Sequence, residues 1–165
     1  MMLPIFETAR LSAREFVATD TAFVQVLLNT PTWLEYVGDR DVHDAAAALG
    51  YIQKLQKSYQ SHGFGLYLLQ LKTDNTPIGM CGLVVREELD TPDIGFALLP
   101  AYVRQGYMFE AATATLHHAK TVLQQPKIIG LTTEDNVASI GVLEKIGLKY
   151  ERIVALHDED LLLFS

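Results

Sequence analysis

The chain is poor in cysteine. Cys81 is its only one, so no internal disulfide can staple the fold, and the composition suits a reducing cytoplasm. No apolar run approaches the roughly 20 residues needed to cross a bilayer. The start, Met1-Met2-Leu3-Pro4-Ile5-Phe6-Glu7, lacks the positive segment and long apolar core of a secretory signal. Positive charge is scarce as well. Thirteen Lys and Arg stand against twenty Asp and Glu, a formal net charge of −7. That balance argues against a nucleic-acid groove and mildly favours a cationic substrate such as an amine. No glycine-rich loop ends in Lys-Ser/Thr, which sets aside an ATP-type phosphate loop. Internal repeats, low-complexity tracts and Gly/Ser linkers are missing too. The 165 residues therefore read as a single domain, 1–165, with one sizeable core.

What is present is a regular succession of patterns. Thr8 to Val17, with Arg10 to Phe16 alternating, suits an edge-side strand. Thr19 or Asp20 can cap a helix running to Leu28, and Asn29-Thr30-Pro31 ends it. Trp33 to Val37 reads as a short second helical piece. Asp44 is placed to cap a long helix from Ala45 to about Gln60, closed by Ser61-His62-Gly63. Phe64–Leu71 and Pro77–Arg86 form a hairpin around Asp74-Asn75. A strand over Asp93–Leu99, a helix over Tyr107–Leu123 and a short buried strand over Ile128–Thr132 follow. The helix carries Met108, Ala111, Ala112, Thr115, Leu116 and Ala119 on one side. A helix over Asn136–Ile146 ends at Gly147, and Leu148–Leu156 with Leu161–Phe164 make a last hairpin. This order predicts an α/β fold of the α+β kind. A mixed, mostly antiparallel sheet of about seven strands has helices on both faces.

Pro100-Ala101-Tyr102-Val103-Arg104-Gln105-Gly106-Tyr107-Met108-Phe109-Glu110 carries the main chemical signal. A strand that turns through a glycine into a helix exposes N–H groups with no partner inside the helix. Those donors and the positive end of the helix dipole make a site for phosphate. In mixed sheets, ligands sit at strand C-terminal ends where direction or order changes. That rule sets the Leu99–Gly106 and Thr132–Asn136 turns side by side, each opening a helix.

At this point the chain resembles the GNAT superfamily of acetyl-CoA-dependent N-acetyltransferases. It most resembles the branch of ribosomal-protein N-terminal (alanine/serine) acetyltransferases. The likeness runs over about 7–164. Five segments carry it: Glu7-Thr8-Ala9-Arg10-Leu11, Ile78-Gly79-Met80-Cys81-Gly82-Leu83, Asp93-Ile94-Gly95-Phe96-Ala97-Leu98, Gly106-Tyr107-Met108-Phe109-Glu110-Ala111, and Asn136-Val137-Ala138-Ser139 through Leu148. Departures exist. The family loop Arg/Gln-x-x-Gly-x-Gly/Ala has Val103 at its first position and Met108 at its last, and Arg104 replaces a frequent glycine. Leu143 occupies the position where many members have a tyrosine acting as general acid.

The resemblance implies direct attack of a primary amine, of a protein N-terminus or a small molecule, on the thioester of acetyl-CoA. It implies that the amides of Gln105, Gly106, Tyr107 and Met108 hold the pyrophosphate, with Arg104 adding a charged contact. It implies that the backbone of Phe96, Leu98 and Leu99 pairs with the pantetheine arm, provided that Ile128–Thr132 splays away. Asn136 would touch that arm, an N–H near Leu98 would meet the oxyanion, and Ser139 would replace the missing tyrosine as acid. A carboxylate, or water bound to one, must accept the amine proton. Asp93 and Asp158 are candidates, with Glu159, Glu134 and Asp135 behind them. Asn136 and Ser139 share one helix face; capping alone explains the first, and a hydroxyl bonded one turn back would explain the second. Glu110 reads as structural, serving the helix dipole and loop amides. His117 and His118 have no third ligand at metal spacing, so no metal is expected. Cys81 reads as core, and Trp33, Tyr36 and Tyr51 fall where the family builds its acceptor pocket. No nucleic-acid or membrane partner is expected, and dimers are common among relatives. The competing reading is a non-catalytic acetyl-CoA-binding sensor or scaffold, motivated by Leu143 and the imperfect loop.

Overall fold

A computed structural model describes residues 2–165. Eight strands form one sheet in the order β1-β2-β3-β4-β5-β6-β8-β7. They are β1 (Phe6–Glu7), β2 (Leu11–Arg14), β3 (Leu66–Leu71), β4 (Pro77–Val84), β5 (Asp93–Leu98), β6 (Ile129–Thr132), β7 (Tyr150–Leu156) and β8 (Glu159–Phe164). Five helices join them: α1 (Thr21–Leu27), α2 (Pro31–Tyr36), α3 (Ala45–His62), α4 (Tyr107–Thr121) and α5 (Val137–Lys145). The strand beyond the expected seven is β1, two residues paired with Ser12 and Ala13 and too short to show any alternation. Every neighbouring pair is antiparallel except β5 with β6.

Side-chain alternation along the central strands divides two cores. Tyr67, Leu69, Cys81 and Leu83 face α4, whose Ala111, Ala112, Leu116 and Ala119 pack on them. Leu68 and Met80 face the opposite way, toward Val24, Leu27, Trp33, Ile52 and Leu55 of α1, α2 and α3. The sheet is thus covered on both sides, as the strand and helix order predicts. Close backbone approach accounts for two glycines of the central hairpin. A Cβ on Gly82 would lie 2.0 Å from the Gly65 oxygen, and one on Gly79 would lie 2.2 Å from the Ala97 oxygen.

Helix starts follow the expected caps, with one exception. Asp44 accepts the Ala47 N–H at 2.7 Å to open α3, and Gly63 closes it at φ +77°. Thr30 opens α2. Asp20 makes no side-chain cap for α1. Its carboxylate instead takes a two-pronged bond from Arg14, both arms at 2.9 Å, and accepts the Val17 N–H at 2.8 Å. A bidentate guanidinium is a stronger partner than one amide, so this carboxylate pins the chain after β2 rather than the helix. No helix among the described residues is long and apolar enough to cross a membrane.

Candidate active site

The site begins with an incomplete strand pair. β5 and β6 match only at Asp93 with Ile129 and Ile94 with Gly130. Beyond Ile94 the two strands separate. On its other edge β5 stays paired with β4 along its whole length. The Leu99 N–H donates to the Ile78 oxygen at 2.8 Å. Because antiparallel strands alternate their hydrogen-bonding direction, Leu98 and Phe96 then point their N–H groups away from β4, into the gap. Two residues of extended backbone are left there without a strand partner.

Further along, the chain turns through Val103–Gly106 into α4. Arg104 and Gly106 both take left-handed backbone, φ +62° and +81°. For the arginine that conformation costs roughly 1–2 kcal/mol. No side chain caps α4 at Gly106, although α2, α3 and α5 are all capped by Thr30, Asp44 and Asn136. The N–H groups of its first turn are therefore free to hold an anion.

The gap opens into a cleft of about 650 Å³. Its walls bring together Asp93, Phe96, Thr132, Asn136 and Ser139 with Trp33, Tyr36, Arg40 and Tyr51 of the α2–α3 region. Asn136 accepts the Ser139 N–H at 3.2 Å, the expected cap. The Ser139 hydroxyl is different. Thr113, Thr115 and Thr121 in α4 each return their hydroxyl to a carbonyl four residues back. Among the described residues Ser139 Oγ has no such bond and stands free on the cleft wall. Asp93 is 2% exposed and receives a fork from Arg86, at 2.8 and 3.2 Å. Burial pushes its carboxyl above the usual range, and the Arg86 bonds and charge only partly offset that rise. Burial likewise raises the Tyr51 phenol to about 12, with Arg40 pulling slightly downward. Trp33 is 8% exposed, and its indole Nε1 is the one buried side-chain polar atom among the described residues without a partner.

Comparison with known proteins gives this architecture its kinship. The acetyltransferase (GNAT) domain family matches residues 10–149. The chain belongs to the GNAT acetyltransferase family. The uncharacterized protein YkkB of Bacillus subtilis is 28% identical over 143 residues, covering 85% of this chain and 81% of that protein. An acetyltransferase from Agrobacterium tumefaciens superposes with a TM-score of 0.85 at 22% identity, over 99% of this chain and 94% of its own. RimL, a ribosomal L7/L12 α-N-protein acetyltransferase solved with coenzyme A, superposes at 0.79 with 19% identity, over 99% and 96%.

Within this GNAT fold the sequence-derived candidates fall into two groups. Phe96, Asn136, Ser139 and Asp93 line the cleft; Leu98, Leu99, Arg104, Gln105, Gly106, Tyr107 and Met108 lie outside its lining. The two helix openings share an end of the sheet, and of the two turns only Thr132–Asn136 lines this cleft. In that turn the Asp135 carbonyl accepts from the Tyr36 hydroxyl, at 3.5 Å. Asp158 occupies the exposed β7–β8 turn at φ +61°, and its neighbour Glu159 reaches the cleft. Leu143 is 1% exposed. Its Cδ2 would lie 2.5 Å from a Cβ on Gly130, so this side chain fills core space beneath β6. Cys81 is buried beside Thr115, its thiol pushed up to about 12 by burial, which leaves it inert as a nucleophile.

Arg10 is the residue that sequence reasoning passed over. Its Nε bonds Glu110 at 2.9 Å, its Nη1 bonds the Gln105 carbonyl at 3.0 Å, and its guanidinium stacks 4.1 Å from the Tyr107 ring centre. Glu110 also accepts the Arg10 N–H at 3.0 Å and the Thr8 hydroxyl. The α4 turn is therefore braced from the segment before β2. Roughly a hundred residues of sequence separate the partners, and no local pattern marks the contact.

Proposed function

We propose that the chain is a single N-acetyltransferase domain that moves the acetyl group of acetyl-CoA to a primary amine, of a protein N-terminus or a small molecule. The observation that carries this reading is the parting of β5 from β6 after Ile94, beside an α4 start that no side chain caps. The free groups of Phe96 and Leu98 suit strand-like pairing with a pantetheine arm. The Gln105–Met108 amides, with Arg104 beside them, suit its pyrophosphate. Residues present thus fit the donor at both points, and the RimL relative was solved with coenzyme A. The donor supplies an activated acetyl carbonyl and a thiolate leaving group.

This chain's residues then have three tasks. The Leu98 N–H, directed into the gap, is placed to donate to an oxygen that becomes negative during attack. Ser139 Oγ, unbonded on the cleft wall, passes a proton to the thiolate as it takes up the one released by the attacking nitrogen. The amine must reach the thioester as a free base. Asp93 is the buried carboxylate nearest the splay, and its raised pKa suits proton uptake, though its fork to Arg86 makes water relay the simpler route. Glu159 on the opposite wall is the second carboxylate for that relay; Asp158 would require the β7–β8 turn to fold inward. The test is incubation with cell extract and labelled acetyl-CoA, followed by mass spectrometry of acetylated products, alongside calorimetry with acetyl-CoA. Binding plus labelled amine products is the expected result. Binding without any product would favour the non-catalytic reading that Leu143 raises, and no binding would sink both.

A further inference from the structure

The cations without partners are unevenly placed. Of the thirteen lysines and arginines, Arg10, Arg14, Lys72, Arg86, Lys127 and Arg152 sit in ion pairs. Among the described residues the remainder do not. Lys120 and Lys145 close α4 and α5, where a cation complements the helix dipole, and Lys149 follows shortly after. Arg104 sits in the turn before α4. The last three, Arg40, Lys54 and Lys57, all gather at the amine end of the site.

Lys54 and Lys57 lie one turn apart on α3, so their side chains share a face. With His62, Ser58 and Ser61 they line a recess of about 330 Å³ whose floor is apolar, including Leu55, Leu83 and Val85. Among the described residues no carboxylate lines this recess. It adjoins the main cleft, sharing Lys54, Leu66 and Val84 with it. The carboxylates of the cleft, Asp41, Asp93 and Glu159, do not line the recess. The recess is thus positive, whereas the carboxylates of the cleft are matched by Arg40, Lys54 and Arg86, the last forked onto Asp93. In a chain of net charge −7, two like charges on adjacent turns without an acidic neighbour are mildly destabilising unless an anion joins them. Trp33 also lines the cleft, with its indole Nε1 buried and without a partner among the described residues.

We infer that the acceptor is an amine whose far end bears an anionic group, a carboxylate or a phosphate, seated in the recess between Lys54 and Lys57. The amine then lies in the cleft among the carboxylates, toward Phe96 and Ser139. The inference rests on the acetyltransferase reading and narrows its substrate class. It reverses the expectation from net charge alone, under which the acceptor is simply cationic.

The test uses four probes in two matched pairs: the peptides Ser-Ala-Glu-Glu and Ser-Ala-Gln-Gln-amide, and aminohexyl phosphate with aminohexanol. Binding is read by the fluorescence of Trp33, the only tryptophan, in the presence of coenzyme A. Turnover is read separately as thiol release from acetyl-CoA. The anionic member of at least one pair should bind about tenfold more tightly than its neutral partner. In the K54Q/K57Q double variant that ratio should fall below about twofold, and high salt should shrink it in the wild type. Both lysines are exposed, so circular dichroism should find the variant folded. Discrimination confined to the peptide pair identifies an acidic N-terminal peptide; confined to the other pair, a small amino-phosphate. Equal binding within both pairs, discrimination that survives the double variant, or no binding of any probe would overturn the inference. Selective binding without thiol release would leave the anion site standing and bring down the acetyltransferase reading instead.

Discussion

At the α4 opening, Thr8, Arg10, Gln105 and Glu110 are bound to one another, and the turn is set before any ligand arrives. At the amine end, Arg40, Lys54 and the buried Trp33 indole have no hydrogen-bond or ion-pair partner among the described residues, and the walls include α2, α3 and the β7–β8 hairpin. One end is preorganised and the other is left with unmet polar groups. A preorganised end reduces the ordering cost of binding, which suits a ligand common to every turnover. An end with unmet donors takes its specificity from whichever molecule satisfies them.

The most severe way to strain this comparison is at Ser139, between the two ends. Ser139→Ala should lower kcat by about a hundredfold with little change in either KM, the range expected for losing a positioned proton donor. Steady-state kinetics at saturating substrates decide it; an unchanged kcat removes Ser139 from the chemistry. Next comes the preset turn itself. Gly106→Val forces a β-branched residue to φ +81° and should weaken acetyl-CoA binding by at least about tenfold in calorimetry, with the acceptor KM unaltered. Arg10→Ala removes the brace but leaves the turn amides, so acetyl-CoA KM should rise about fivefold at near-constant kcat. Arg10→Lys should recover only part of this, since an ammonium cannot bridge Glu110 and Gln105 as a fork does. A Leu143→Tyr variant should gain no activity and lose about 1–3 kcal/mol of stability, because the side chain meets Gly130 in the core rather than the cleft. A denaturant midpoint checks that.

The smallest effect concerns Glu110. Burial pushes its carboxyl up, but bonds from Thr8 and Arg10 and the Arg10 charge outweigh burial and hold it below its ordinary value. Its folded pKa being depressed, the stability it contributes is present above the unfolded glutamate value of roughly 4.3 and is lost as pH falls through the folded one. The melting-temperature gap between wild type and Glu110→Gln should therefore be modest at neutral pH and close in acid. A gap independent of pH would mean that the carboxylate charge does not support the brace.

Much of the fold is readable from local pattern. Asp44 and Gly63 bracket α3, and Gly147 at φ +98° follows α5. All six residues assigned to the inner face of α4 are buried. These features depend on neighbours within one helical turn or one hairpin, where periodicity and capping act directly. Asp20 shows the boundary of that logic. Its position suits a cap, yet Arg14 offers a better partner and takes the carboxylate. The cleft residues Phe96 and Ser139 sit on elements that local pattern predicts, but it was the family resemblance that singled them out. Arg10 and Lys54 were not legible, because nothing near them in the chain reveals what they face, while Glu159, a secondary candidate from the sequence, does line the cleft.

Strand and helix order, the glycine turn into α4 and the Asn136 cap follow from the amino-acid sequence alone, since each is settled by backbone preferences over a few residues. Three things were decided only in the folded molecule: where β5 leaves β6, which distant arginine steadies the α4 turn, and that a recess lined by Lys54 and Lys57 adjoins the cleft. Each depends on groups tens of residues apart being brought within a few ångströms. Packing of the two cores achieves that, and no local pattern encodes it.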